Sequence, residues 1–336
     1  MQLPIPSFVR NFIDRSNGIN GEPFDPAKTS MIPQHGKYTT VHYGIMIPNL
    51  PEPFRFLNLL TVLGQPRIKL WRNEHLIKTT ARDTANLLVG TGVATPEHFS
   101  GYSIEKDCDI RPDASFLRFG SDLTIAGTYP NFTATRVGKD FNLEITLRAT
   151  DKVAHFTHVI GELYDHWAIL CEYEGILEYQ QQQTPIQGLC TFEYARGADI
   201  NLPFQFFTYQ IININAHTQA LFVEVLGPLS SLLQRRVYIR SLTDHGAIYE
   251  KHVQFTVHEL EAEIKVTPDG AQMKMPKRFS WQVHYDGREI LVIDAHGNND
   301  FCYGMAAGYA GSYQYTGRFQ GADIKGMGYI EYMGRR

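Results

Sequence analysis

Cysteine is scarce in this chain. Its 336 residues include four, Cys108, Cys171, Cys190 and Cys302, widely spaced and never in a Cys-x-x-Cys pair. That spacing excludes a disulfide scaffold and a cysteine-based zinc site, and leaves buried free thiols as the expected state. An excess of either charge is also missing. Lys and Arg number 31 against 35 Asp and Glu, a net charge of -4 with the basic residues scattered, so the basic footprint that nucleic-acid binding needs is absent. No run approaches the roughly 18 consecutive apolar residues of a membrane-spanning helix. Met1 to Gly21 carries Pro4, Pro6, Arg10, Asp14 and Arg15 in place of the apolar core of a secretory signal, which makes a cytoplasmic location the expectation. There is no Gly-x-x-x-x-Gly-Lys-Ser/Thr loop, no dinucleotide fingerprint after a strand and no Gly-x-Ser-x-Gly elbow, so the common nucleotide and serine-hydrolase chemistries are excluded.

What the chain does have is strand-forming material. Hydrophobic residues make up 43% and aromatics 12%, and β-rich runs bounded by turn residues recur along its length. They are Tyr38 to Ile47, Arg67 to Trp71, Phe132 to Val137, Phe141 to Leu147, Leu189 to Tyr194, Phe206 to Ile214, Leu221 to Leu226, Phe279 to Tyr285 and Glu289 to Ile293. Asp286-Gly287 is the strongest hairpin signal, with Gly138-Lys139, Asp269-Gly270 and His245-Gly246 behind it. The expectation is an all-β protein of meander connectivity. Helix signals are few: Pro53 to Leu63, which opens with proline and stops at Gly64, then Pro228 to Arg236 and Phe8 to Arg15. Four glutamines lead into Thr184-Pro185 at Gln180 to Gly188, the most linker-like stretch. A division there gives residues 1–187, with a leading irregular segment, and residues 188–336, each the size of one antiparallel barrel.

The last residues carry a family resemblance. Tyr313 and Tyr315, then Tyr329 and Glu331, alternate at period two, with Gly317, Gly321, Gly326 and Gly328 between and around them. This aromatic, Gly, then Gly-x-Gly-Tyr-x-Glu ending resembles that of the lipocalin-like carotenoid hydratases (hydroxyneurosporene synthases), relatives of the fungal Diels-Alderases. The resemblance implies two lipocalin-like, calycin-type antiparallel barrels in tandem and a cavity for a hydrophobic small molecule. It also implies cofactor-independent acid catalysis of hydration, cyclisation or isomerisation. A non-catalytic carrier of a hydrophobic metabolite is the alternative, since one fold hosts both.

Gly188-Leu-Cys-Thr-Phe-Glu-Tyr-Ala-Arg-Gly197 resembles the segment that opens the second domain of those hydratases. Glu193 then stands where the family has its catalytic acid and Thr191 where it has an aromatic residue. A carboxyl group protonates a double bond only when burial lifts its pKa toward neutrality. On a strand Glu193 shares a face with Thr191 and Leu189, and an ion pair with Arg196 or Arg148 is the competing structural role. Upstream, His166 and Trp167 lie at about the separation at which the hydratases place a His and a Trp, and Trp167 would offer its ring face to a cation. Asp165 beside His166 makes a dyad only if a loop intervenes. Tyr38, Thr40, His42 and Met46 share one face of an alternating strand, a mixed lining that suits either a pocket or a solvated surface. Tyr329 is placed with the binding residues, and Glu331 is read as scaffold tied to an Arg such as Arg318. His155 with His158, His252 with His258, and His284 with Asp286 and His296 have no metal-binding spacing, so no metal and no cofactor are expected.

Overall fold

In the structure, a computed structural model, residues 13–65, 72–93, 98–139, 141–199, 204–304 and 308–334 are described. The run expected at Arg67 to Trp71, and Phe8 to Phe12 of the expected first helix, lie outside them. The first half forms one eleven-stranded antiparallel sheet of β1 (Tyr38–Ile47), β2 (Leu57–Leu63), β3 (Thr84–Thr91), β4 (Phe99–Ser103), β5 (Cys108–Ile110), β6 (Phe116–Phe119), β7 (Leu123–Thr128), β8 (Asn131–Arg136), β9 (Phe141–His158), β10 (Tyr164–Tyr179) and β11 (Gln182–Ala198). The second half forms a ten-stranded sheet from β12 (Phe206–Asn213), β13 (Thr218–Leu226), β14 (Leu232–Ser241), β15 (Ala247–Tyr249), β16 (Val253–Leu260), β19 (Pro276–Tyr285), β20 (Arg288–Gly297), β21 (Cys302–Gly304), β22 (Gly308–Phe319) and β23 (Ala322–Gly334). Between them β17 (Lys265–Val266) and β18 (Gln272–Met273) pair by themselves.

In each half the first strand pairs with the last, β1 with β11 and β12 with β23. Each half is therefore its own unit of pairing. The edges of the first sheet, β4 and β5, are joined by the single helical turn α1 (Ile104–Asp107), which curls the sheet into a nearly closed barrel; the second sheet makes a half-barrel. Together they are the tandem antiparallel barrels that the terminal motif implies.

Period-two alternation sorts every long strand between two cores. Tyr43, Ile45 and Ile47 of β1, Cys190, Phe192 and Tyr194 of β11, and Trp167 and Ile169 of β10 fill the first barrel. Phe222, Phe279, Trp281, Tyr313 and Tyr332 fill the second. The opposite faces of the same strands meet in a third cluster, with Met46, Phe56, Phe156 and Ala168 packed on Tyr209, Ile211, Leu221, Tyr238 and Tyr329. The two barrels are thus joined back to back through side chains that a lone barrel would show to water.

Three expectations change. Pro53 to Leu63 is not a helix: a turn at Pro51 to Phe54 leads into β2, in which every residue is buried, so the run is apolar without a period because both its faces are covered. Pro228 to Arg236 is one 3-10 turn, Pro228–Ser230, followed by β14. The glutamine run is no linker. Gln180 and Gln181 have φ of 51° and 66°, the left-handed pair of a two-residue hairpin turn, and β11 then pairs with β10 from Gln182 to Gly197. A division at 187/188 would cut β11 in two. The sheet changes between Ala198 and Phe206, and we place the division there.

Candidate active site

A polar seam runs through the apolar cluster between the barrels. Its centre follows from register: His42 on β1 and His166 on β10 both stand opposite Ala195 of β11, one on each side. Glu193, two residues along and on the same face, is diagonal to both. Its Oε2 lies 3.5 Å from His42 Nε2 and 3.4 Å from His166 Nε2. Gly44 is its direct neighbour on β1, and a Cβ there would come within 3.0 Å of His42 Nε2. The glycine provides the space that the imidazole occupies. Glu193 is 2% exposed. Burial by itself would raise its carboxyl, but His166 and His42 outweigh that and hold it at about 2. Burial lowers His42, against the pull of Glu193.

The second barrel contributes the other pole. Tyr209 stands opposite Glu331 across the β12–β23 ladder, and Tyr329 is two residues before Glu331 on the same face. The Tyr329 hydroxyl donates to Glu331 Oε1 at 2.6 Å and accepts from Asn58 Nδ2 of β2. Glu331 is half-buried, and burial first, then the charge of Glu193, push its carboxyl up to about 8. It borders a cleft lined by Leu60, Leu88, Phe207, Tyr309 and Met333, whose free volume of 10 Å³ fits about one water.

Buried polar atoms without a hydrogen bond gather along this seam: His42 Nε2, Glu193 Oε1, Tyr209 Oη, Asn58 Oδ1 and Arg240 Nε. Arg240, 3% exposed, spends its other donors on Ala168 O at 3.0 Å, Thr191 Oγ1 at 2.7 Å and Gln219. Each unsatisfied buried group costs about 1 to 3 kcal/mol, so a cluster of them marks a place kept for something other than stability. The donor atoms of His42, His166 and Glu193 lie within 4.8 Å of one another, the one such group of three among the described residues and the set that could hold a metal ion.

Of the residues singled out in the sequence, Glu193, His166, His42, Thr191 and Tyr329 come together in the seam. Trp167 and Tyr38 do not. Trp167 points into the first barrel against Phe24 and Tyr194, and borders a separate cavity of 580 Å³. Tyr38 packs under the Arg196 guanidinium, 4.4 Å away, and bonds Glu162 at the barrel end. Asp165 and His166 face opposite ways, as adjacent strand residues must: Asp165 pairs with Arg196 at 2.8 Å and with His158 at 2.5 Å. Neither Arg196 nor Arg148 reaches Glu193 in an ion pair among the described contacts. Glu331 does not pair with Arg318, which bonds Glu289 instead. Sequence reading passed over Glu331 because its ionisation depends on Glu193, 138 positions away; its place beside Tyr329 in the alternation was the available signal.

Solved structures with this fold are similar to the chain over nearly all its length. A Nitrosomonas europaea protein described as a candidate AttH has a TM-score of 0.62 at 10% identity, covering 92% of this chain and 100% of its own. Kievitone hydratase of Nectria haematococca has a TM-score of 0.55 at 11% identity over 93% and 97%, and CghA one of 0.52 at 8% over 88% of each. At such identities the likeness is one of fold. No curated protein matches the sequence. The family profile described as "Family of unknown function (DUF6670)" matches residues 60–336, more than three quarters of the chain, and the chain belongs to that family.

Proposed function

We propose that the chain is an enzyme that protonates an apolar, unsaturated small molecule, with Glu331 as the acid and hydration as the outcome. One feature carries this reading: a carboxyl group that burial and the charge of Glu193 push up to about 8 borders an apolar cleft. A general acid needs a pKa near the working pH, and two carboxyls driven apart by their surroundings are the usual mark of divided acid and base roles. Tyr329 occupies Oε1 as a donor, which leaves the acidic proton on Oε2.

Protonation of a carbon–carbon double bond by Oε2–H forms a C–H bond and leaves a carbocation. The aromatic rings of Phe207 and Tyr309 in the cleft wall face charge of that kind well. Water then adds its oxygen to the cation and releases a proton, which restores Glu331. An ionised Glu331 beside the ionised Glu193 is unfavourable, so reprotonation is downhill at neutral pH. In this reading Glu193 is the fixed negative pole, and the acid role expected for it passes to Glu331.

Extracts of the native cells incubated with the protein in D2O test this. An acid catalyst places carbon-bound deuterium in a small-molecule product, and Glu331→Gln abolishes the incorporation with the fold intact. A carrier retains an apolar compound and returns it unchanged; that result would replace the enzyme reading with the carrier.

A further inference from the structure

We propose that His42, His166 and Glu193 bind one divalent first-row transition-metal ion. This goes beyond the proton-transfer reading: an ion there would cancel the Glu193 charge, and Glu331 would keep the rise that burial, its larger cause, gives it. Two imidazoles and a carboxylate are a borderline-soft donor set of the kind that zinc and ferrous ions select. The three come from β1, β10 and β11, adjacent strands of one rigid sheet, so their backbone positions are fixed by ladder hydrogen bonds. The two edges from Glu193 Oε2, 3.5 and 3.4 Å, are close to the roughly 3.3 Å that separates donors in a tetrahedron of 2.0–2.1 Å bonds.

A second observation points to a ligand. Glu193 Oε1 makes no hydrogen bond although its side chain is only 3% exposed. Tyr209, 3% exposed, holds its hydroxyl close enough to Glu193 to interact with the carboxylate, and so to reach an ion bound there. Water would fill the same gaps but would leave the buried carboxylate charge uncancelled; a cation answers both. Arg240 does not cancel it by contact, because its bonded donors go to Thr191, Gln219 and Ala168. The surroundings suit an ion as well. The Phe156 ring stands edge-on 4.8 Å from His166, and Met46 and Ala168 complete an apolar wall that excludes competing water. Tyr164 Oη lies 3.5 Å from His166 Nδ1, on the far side of the ring, where outer partners of metal-bound histidines sit. Three protein ligands leave coordination positions open, as in catalytic and not structural sites.

The test uses the full chain, treated with chelator, dialysed and titrated with Co(II) as the probe. The proposal expects visible ligand-field bands that saturate at one equivalent and disappear on adding Zn(II). His42→Ala and His166→Ala should weaken Co(II) more than about 100-fold, beyond what losing an outer partner costs. His158→Ala, a change at the barrel end, should leave the titration as it is. Glu193→Gln keeps the shape of the carboxylate and serves if a histidine variant does not fold, as judged by circular dichroism. Absence of a saturable band, or equal Co(II) affinity in the His42, Glu193 and His158 variants, would overturn the site. None of these readouts depends on turnover, so failure here leaves the role of Glu331 to its own test.

Discussion

Glu193 and Glu331 carry the same functional group, and their surroundings push their pKa values in opposite directions. The difference has a consequence for stability. The Glu331 carboxyl is raised from 4.5 to about 8 on folding, so the folded chain keeps a proton that the unfolded chain releases above its own pKa. The stability from that proton is complete below about pH 4.5 and is lost as pH rises through about 8. At about 1.4 kcal/mol per unit the loss is at most about 5 kcal/mol, reduced by whatever water the cleft admits. Glu331→Gln should therefore flatten the decline in stability between pH 5 and 8 and melt above the wild type at pH 8.5; denaturant melts across that range check it. Glu193 has the opposite sign. Its lowered pKa contributes stability that is present above about pH 4.5 and fades as pH falls toward 2. Alternation already put Glu193 with Thr191 in the sequence. Its true partners could not be read there, because His42 and His166 reach it only through strand pairing across 151 and 27 positions.

Among the elements, β1 shows how closely the seam is fitted. Gly44→Ala would lower the entropy of the unfolded chain, a gain of up to about 1 kcal/mol where the backbone tolerates it. Its Cβ, however, would meet His42 Nε2 at 3.0 Å and Met46 Sδ at 3.2 Å. Overpacking of a buried site costs about 1 to 3 kcal/mol, so the net expectation is a small loss of stability with a displaced His42 imidazole. Histidine-selective NMR would show the His42 signals moving while His158, at the barrel end, stays. The Asp286-Gly287 hairpin was legible because its turn chemistry is local, with φ of 49° and 71°. Helix was the wrong reading of β2 because a strand covered on both faces has no period to report. The glutamine run misled for a related reason: at the tip of a long hairpin, polar residues cost nothing, and they look like a linker.

Across the whole molecule, the halves are locked by buried donors as well as by apolar packing. Arg236 of β14, 2% exposed, bonds Glu250 at 2.6 Å, Ser16 Oγ at 2.7 Å and Phe156 O at 3.3 Å, so it ties the leading segment and β9 of the first barrel to the second. Arg236→Met should cost about 1 to 3 kcal/mol, because Ser16 Oγ and Phe156 O lose their buried donor and Glu250 its ion pair, and urea melts of the two proteins measure it. The tandem-barrel architecture was legible from turn spacing and the terminal motif, whereas the seam between the barrels was not, since its residues come from both halves and meet only when the outer faces pack. The claim that unites these scales is that packing of the two barrels keeps Glu331 protonated at neutral pH. NMR of protein carrying carboxyl-labelled glutamate tests it most directly. The account predicts one side-chain carboxyl resonance that titrates near pH 8 and is missing from Glu331→Gln, whereas titration of every glutamate below pH 6 would contradict it.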